Sequence, residues 1–591
     1  MIVKMQKATI LFESRDAEAT VQSLRTLGVL QVEHQNPPEG RDISLLREKV
    51  ALLESSFGIL NQVMASEKPI QPQNTIGGDW MAVVNHLIEL GRRQEQLESS
   101  SRTINGQISE WERWGDIDPD QILHLKQNGI YLTLYQVPVQ EIRSFPDDVV
   151  VKTIFTAGDI AHCVVISQRS FECTFLEIPP PKQSLSLLKS RLAENTRGME
   201  VIKGEITESA SFYEALFTIK KNLEKEIEFQ QVVSGMGREG VISYVTGYIP
   251  LDMEGHLITK ARNNQWGISI TEPSAGDNVP TLLRNPKWVE RIKPVLKLLG
   301  ITPGYHEIDV SMPFLVFFSL FFGILIGDAG YGLVYVLLTL LLTIWLYKTM
   351  KLNKEKRTIV SLFFLLGSCA IVWGLLTGTF FGQGWLTPLV PQLNNPNVMQ
   401  TFCFFLGAFH LSIAHSWRAY LKFPSLTALA DIGWICVLWT AFFLARTLIL
   451  GDAFPPFGIW LVAAGVILVI LFTHPQVHRV FRGIGEGLAT VALSFMNNIT
   501  DVISYVRLFA VGLATLAIAE TTNMLASDAS GSGSGMVAIM AGVVILIIGH
   551  GLNIILGPMS VLVHGVRLNV LEFSGHANVT WSGVTFEPLK E

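Results

Sequence analysis

Two arginines stand where charge is costly. Arg507 lies within Asp501-Val-Ile-Ser-Tyr-Val-Arg-Leu-Phe-Ala-Val-Gly-Leu513, and Arg567 within Ser560-Val-Leu-Val-His-Gly-Val-Arg-Leu-Asn-Val-Leu-Glu572. An arginine at mid-membrane depth costs roughly 2.5–3.5 kcal/mol, so it persists only with a partner or a purpose. At about 100° per residue, Thr500, Ser504 and Thr521 share the face of Arg507, and Asn553, Ser560 and His564 share that of Arg567. A guanidinium does not give up its proton near neutral pH. It acts instead as a fixed positive charge that attracts a carboxylate and keeps it ionised. Two alternatives stay open. Arg567, near a helix end, could snorkel to the interface, and Arg507 could form a salt bridge with Asp501 or Glu520. If no carboxylate of this chain fits, the partner belongs to another subunit. Glu486, Glu572, His410, His415, Asp431, His474, His478 and Arg482 are further polar candidates, each equally readable as an interfacial or structural group.

The elements that hold these residues must span a bilayer. Met312 to Tyr347 is almost unbroken apolar sequence, and as one helix it measures roughly 54 Å against about 30 Å of hydrocarbon. It must break, and Gly327-Asp328-Ala329-Gly330-Tyr331-Gly332 is the natural point. Further spans are expected near 358–381, 398–417, 426–449, 456–474, 486–525 and 536–573, eight in all. The last two are too long to stand upright and must tilt, kink or project. Loop charges agree with an even count. Lys348, Lys351, Lys354, Lys356 and Arg357 follow the second span, Arg418 and Lys422 the fourth, Arg479 and Arg482 the sixth. The alternate linkers 382–397, 450–455 and 526–535 hold no Lys or Arg, which places both termini in the cytoplasm.

The first 300 residues carry most of the charge and read as soluble, so a mean hydropathy of +0.35 describes neither half. The segment Met1-Ile-Val-Lys-Met-Gln-Lys7 has no signal-peptide pattern. Lys4 to Glu13 reads as a strand, Asp16 to Leu27 as a helix closed by Gly28, and Val29 to Glu33 as a second strand. Two stretches then show coiled-coil spacing. One runs from Val83 through Leu87, Leu90, Leu97 and Ile104 to Trp111. The other runs through Leu185, Leu188, Leu192, Met199, Ile202 and Ile206, and resumes at Leu216, Ile219, Leu223 and Ile227. The strand-like segments Gly129–Val137 and Cys163–Ser167 lie between them. An antiparallel hairpin with a lobe at each end is the economical reading; two amphipathic helices in a compact domain are the alternative.

Several function classes are excluded on these grounds. No GxxxxGK[ST] loop, HExxH motif or nucleophile–base pair occurs, so no nucleotide site, cofactor or metal is expected. Five scattered cysteines form no CxxC pair, and a net charge of −6 without a basic stripe gives no case for nucleic acid.

Ser504-Tyr505-Val506-Arg507-Leu508-Phe509-Ala510 resembles the SYxRLxA signature of the membrane stator subunit (subunit a, or subunit I) of rotary V/A-type ATPases. His564-Gly-Val-Arg567-Leu-Asn-Val-Leu-Glu572 is similar to that family's second-arginine segment. Pro303-Gly-Tyr-His-Glu-Ile-Asp309, followed by Phe322-Gly-Ile-Leu-Ile-Gly-Asp328-Ala-Gly-Tyr-Gly332, resembles its entry into the first two spans, and Val245-Thr-Gly-Tyr-Ile-Pro250 and Pro280-Thr-Leu-Leu-Arg-Asn-Pro286 resemble the segment before its membrane part. The chain departs at Asp309-Val310-Ser311, where the family often has Asp-Pro-Thr. It departs again at Thr515 and Gly557, where some eukaryotic members carry a histidine and a glutamate. A prokaryotic member is the closer match.

The resemblance implies a mostly α chain. Residues 1–305 form a cytoplasmic domain of small α/β lobes joined by an antiparallel coiled-coil hairpin. Residues 306–591 form an eight-helix transmembrane domain with two long tilted C-terminal helices. It implies an ion-translocating role in the plasma membrane against a rotor ring of proteolipid subunits, each with one carboxylate. Arg507 and Arg567 face that ring, and Thr500, Asp501, Ser504, Glu520, Asn553, Ser560, His564, Glu572 and Glu486 are candidates to line two half-channels. Peripheral-stalk and central-stalk adaptor subunits are the other implied partners. The rivals are a self-contained secondary transporter, which predicts repeated halves, and a membrane-anchored coiled-coil scaffold, which leaves both arginines unexplained.

Overall fold

The computed structural model describes residues 1–591 apart from 65–75, 77, 147, 170–172, 275, 350–352, 473–492, 532–535 and 591. Met1–Ile10, Val29–Gln31 and Thr246–Pro588 form one compact unit. Leu11–Gly28, Val32–Val245 and Leu589–Glu591 form the other.

The N-terminal pattern becomes β1 (Met5–Glu13), α1 (Ala17–Leu27) and β2 (Gln31–Glu33). Gly28 closes α1 at φ +66°, a left-handed conformation that suits glycine, and donates its N–H to Leu24. Next come α2 (Arg41–Met64), α3 (Trp80–Trp111), α4 (Pro119–Gln127), β3 (Tyr131–Pro138), β4 (Val150–Ala157), β5 (Ile160–Ser167) and β6 (Leu176–Ile178). They are followed by α5 (Leu185–Ser209), α6 (Tyr213–Gly235), β7 (Gly237–Glu239), β8 (Ile242–Pro250), α7 (Glu254–Asn263) and β9 (Gly267–Thr271).

One sheet has the order β2-β8-β1-β9 with β7 on β8, and the other β4-β5-β3-β6. Along β5, Ala161, Cys163, Val165 and Ser167 are buried in alternation, the period-two pattern of a strand with one covered face.

Helix α3 lies antiparallel to α5: Lys189 reaches Glu112, Asn195 reaches Ser101, and His86 reaches Glu205. The apolar positions Leu87, Leu90, Ile104, Leu188, Ile202 and Ile206 are buried, but α2, absent from the sequence reading, joins them. Its Leu53, Phe57 and Leu60 share a core with Leu87, Ile202 and Leu216, and Lys220 of α6 pairs with Glu54 at 2.8 Å. The packing there is thus a small helical core and not a two-helix seam.

The apolar half begins with α8 (Lys293–Leu299) and α9 (Ser311–Ile326). Helix α9 ends at Gly327, φ +70°, inside the expected break. Buried Asp328 then accepts four backbone N–H groups, from Gly330, Tyr331, Phe381 and Gly382, at 2.7–3.1 Å. It caps α10 (Ala329–Thr349) and pins the loop after α11 (Lys354–Thr377).

Helices α12 (Pro396–Lys422), α13 (Ala428–Ala445) and α14 (Phe457–Phe472) follow. The last two are α15 (Leu493–Gly531) and α16 (Met536–Ala577), of 39 and 42 residues. Among the described residues six helices are long and apolar enough to cross a membrane, where eight were expected. The two short ones, α9 and α14, have 16 residues each; that is a rise of about 24 Å, under the ~30 Å of hydrocarbon. The chain is a multi-pass membrane protein.

Candidate functional site

Two interruptions of helical geometry bring Arg507 and Glu572 together. The first is at Tyr505, where the bonds tighten to i→i−3: Tyr505 N–H donates to Val502 at 3.3 Å, and Leu508 N–H to Tyr505 at 3.0 Å. The carbonyls of Asp501 and Ser504 instead accept side-chain donors, the Ser504 hydroxyl at 2.8 Å and Arg507 Nε at 3.0 Å. The break thereby fixes the arginine. Tyr505 itself is buried against Gly407, where an added Cβ would lie 2.7 Å from its ring. Its hydroxyl meets Nδ1 of His410 at 2.8 Å, and the His410 ring stacks between Phe317 and Phe573. His410 is thus fully buried and bonded to Tyr505.

The second interruption is in α16, where Pro558 is followed by π-helical segments at Val561–Gly565 and Leu568–Phe573. On a regular helix, residues five apart point about 140° away from each other. The i→i+5 pattern of a π segment brings them towards one face. Glu572, five residues after Arg567, accordingly turns its carboxylate toward both arginines. Oε1 accepts from Arg507 Nη2 at 2.6 Å and from the Ser504 hydroxyl at 3.2 Å, and lies 3.6 Å from Arg567 Nε. Glu572 is 6 % exposed, Arg507 22 % and Arg567 56 %. Arg507 Nη1 and Glu572 Oε2 are buried with no hydrogen-bond partner among the described residues. Two guanidinium groups thus share one carboxylate, and one unit of positive charge stays uncompensated within the cluster.

This corrects the expected partners. Asp501 pairs with His576 Nε2 at 3.1 Å, and Glu520 is exposed, away from the arginines' ion pairs; the carboxylate that meets Arg507 is Glu572, within this chain. Of the residues expected on the arginine faces, only Ser504 joins the cluster directly. Thr500 is exposed and bonds back to the Met496 carbonyl. Asn553 is buried elsewhere, donating to Tyr331 Oη and the Thr515 carbonyl; that group continues through Tyr331 to His550 and Asn523. Ser560 and His564 are half-buried. Glu486, His474, His478 and Arg482 lie outside the described residues.

A line of ionisable side chains starts at Asp501, on the same helix as Arg507. Asp501 meets His576, whose Nδ1 lies 2.9 Å from Nε2 of His415, whose Nδ1 lies 3.4 Å from Asp431. Lys422 at 2.6 Å and Arg418 at 3.4 Å flank that last carboxylate. His576 escaped the sequence reading because it follows the last apolar run. A histidine four residues after Glu572, at the end of a polar-studded helix, was the available signal.

No family model matches the chain. V-type ATP synthase subunit I 1 of Treponema pallidum is 29 % identical over 644 aligned positions covering 100 % of both chains. The V-type ATP synthase subunit I of Borreliella burgdorferi is 27 % identical, again over 100 % of both. The A-type ATP synthase subunit I of Methanocaldococcus jannaschii is 24 % identical over 69 % of this chain and 64 % of its own. A crystal structure of the cytoplasmic N-terminal domain of subunit I, homolog of subunit a, of V-ATPase aligns with 45 % of this chain and 99 % of its own. The identity is 12 % and the TM-score 0.21, too low to speak for the fold. End-to-end likeness to bacterial relatives, added to the motifs around Arg507 and Arg567, makes this chain a homologue of subunit I of the V-type and A-type ATP synthases.

Proposed function

We propose that this chain is the stationary, ion-translocating subunit of a rotary ATP synthase, with Arg507 facing a carboxylate on each subunit of a turning proteolipid ring. The supporting observation is the charge count at the site: Arg507 and Arg567 share only Glu572. An uncompensated positive charge at membrane depth is expensive, and a visiting carboxylate offsets it. Arg507 keeps that carboxylate ionised while it passes, so an ion cannot cross directly from one side to the other. Arg567, more exposed, widens the region over which the carboxylate is held. Each charge carried across 100 mV exchanges roughly 2.3 kcal/mol, so several must be pooled for each nucleotide made or consumed.

On this reading residues 1–305 form a cytoplasmic domain that holds peripheral stalks and the central-stalk adaptor. Residues 306–591 carry the ion path, with both termini cytoplasmic. Thr500, Asp501, Ser504, Glu520, Asn553, Ser560, His564, Glu572 and Glu486 are proposed to line the two access paths.

Arg507→Ala in the complete complex, reconstituted in vesicles, tests this. ATP hydrolysis should persist while coupled ion uptake is abolished. Uptake at the wild-type rate would remove the assignment. It would favour a scaffold if uptake persists only with the other subunits present, and a self-contained transporter if this chain alone sustains it.

A further inference from the structure

Apart from the arginine site, a cavity of about 460 Å³ opens between α10 and α11. It is lined by Arg291 of the 3₁₀ turn Glu290–Ile292, by Thr343 of α10, and by Arg357, Ser361, Phe364 and Leu365 of α11. That volume falls within the roughly 300–1,000 Å³ of ligand sites. Ile292 holds the turn against α11: its buried side chain shares a core with Leu362 and Leu366. Arg291 is thereby brought to the same cavity as Arg357, which stands in the first turn of α11.

These two arginines have no internal counter-charge. The carboxylates beside them in sequence go to lysines: Glu290 meets Lys354 at 3.9 Å, and Glu355 meets Lys297 at 3.7 Å. Neither guanidinium makes an ion pair or a side-chain hydrogen bond among the described residues. A guanidinium keeps its charge at any physiological pH and offers a planar fork of N–H groups that matches phosphate oxygens. Deeper in, the walls change character. From Arg357 to Leu365 the helix rises roughly 12 Å; the Ser361 hydroxyl lies one turn in, and Phe364 and Leu365 line the far part. Helix α11 is one of those long and apolar enough to cross a membrane. The cavity is therefore a cationic mouth at the bilayer edge that continues as an apolar groove.

We infer that this cavity binds one anionic diacyl phospholipid, its phosphate between Arg291 and Arg357 and an acyl chain along Phe364 and Leu365. The Ser361 hydroxyl, at the level between them, donates to a phosphate or ester oxygen. Basic pockets between membrane helices suit such headgroups. The apolar walls select a lipid over a soluble phosphate, which gains nothing from them. A zwitterionic headgroup brings its own cation and so offsets less of the arginines' charge. Each arginine near an anionic headgroup strengthens binding about fivefold, and the pair about 25-fold. Bound there, the lipid bridges the turn before α8 to the α10–α11 pair. The inference needs only that the chain crosses a bilayer, and it does not rest on the ring mechanism proposed above.

The test uses the complete complex in detergent, a phosphatidylglycerol probe with a photoreactive diazirine in its acyl chain, and mass spectrometry of the labelled peptides. In wild type the label should fall on the α11 segment that holds Phe364 and Leu365. Unlabelled phosphatidylglycerol should displace the probe, whereas equal phosphatidylcholine and glycerol phosphate should not. Arg357→Gln should weaken probe binding about fivefold, and Arg291→Gln with Arg357→Gln about 25-fold. Lys348→Gln removes an equal charge from an exposed residue outside the cavity, and should change binding less than about twofold if the site and not the general field attracts the lipid. Label only elsewhere overturns the site. Equal displacement by phosphatidylcholine overturns the charge selection, and displacement by glycerol phosphate overturns the lipid in favour of a soluble anion. Equal losses in Arg357→Gln and Lys348→Gln overturn the arginine pair. If the double variant does not assemble, the three competitors on wild type decide.

Discussion

Replacing Glu572 by Gln removes the in-chain charge that Arg507 meets while keeping an oxygen at the same place. In the wild type Arg507 Nη2 and Glu572 Oε1 are 2.6 Å apart, which sets the charge centres about 4 Å apart. At an effective dielectric near 20 that attraction is about 4 kcal/mol. In Glu572→Gln this attraction is free to act on whatever carboxylate next approaches Arg507. If roughly a third of it is transferred to a ring carboxylate, release slows about tenfold, since each ~1.4 kcal/mol is a factor of ten. The carboxylamide still accepts from Ser504 and Arg507, so the helix break should persist. ATP-driven uptake and ATP hydrolysis, measured together in vesicles of matched subunit content, should both fall about tenfold. Passive leak should stay at the wild-type level. Uptake within about twofold of wild type, with assembly intact, would show that Glu572 and the ring carboxylate do not compete for Arg507.

Other expectations follow from neighbouring contacts. Gly407→Ala places a methyl 2.7 Å from the Tyr505 ring. It should destabilise the chain by about 1–3 kcal/mol, read as an earlier melt in detergent, and should lower coupled uptake without touching an ionisable group. Asp328→Ala strips four N–H groups, two buried and two part-buried, of their acceptor. At about 1–3 kcal/mol for each unsatisfied group, it should prevent recovery of the assembled subunit, whereas Asp328→Asn should rescue part of the yield. His34 packs beside Gly235, and its burial lowers its pKa below the usual 6.5. The unfolded chain then binds the proton more readily, so the stability this site contributes is present above pH 6.5 and lost as pH falls below it. The protection factors of Met236 and Gly237 in the intact chain, which are exchange rates corrected for the intrinsic pH dependence, should fall between pH 7 and 5, and His34→Gln should flatten that dependence.

What the sequence discloses and what it hides have separate physical causes. Arg507 stands out because a charge inside an apolar run has a known cost, and the stop at Gly327 follows from comparing chain length with bilayer thickness. Glu572 was visible as a residue but not as the partner of Arg507. A regular 100° step turns it away from Arg567, and only the π segment at Leu568–Phe573 brings it back. The same assumption of one straight helix hides the break at Tyr505, whose ring packs against a glycine nearly a hundred residues earlier in α12. Helix α2 went unread because its apolar positions fit no single seam; they meet α3 on one side and α6 on another. His576 joins His415 and Asp501 only through folding, across 161 and 75 residues of sequence, which no local pattern records.

The most direct measurement of the central claim is an electron-microscopy map of the complete complex, read at the contact between this chain and its rotor. The account predicts a ring carboxylate within hydrogen-bonding distance of Arg507, about 3 Å from a guanidinium nitrogen, with Glu572 still on the other side of that group. A ring that packs on a different face, leaving every rotor carboxylate more than about 10 Å from Arg507 and so beyond a Debye length, would contradict it.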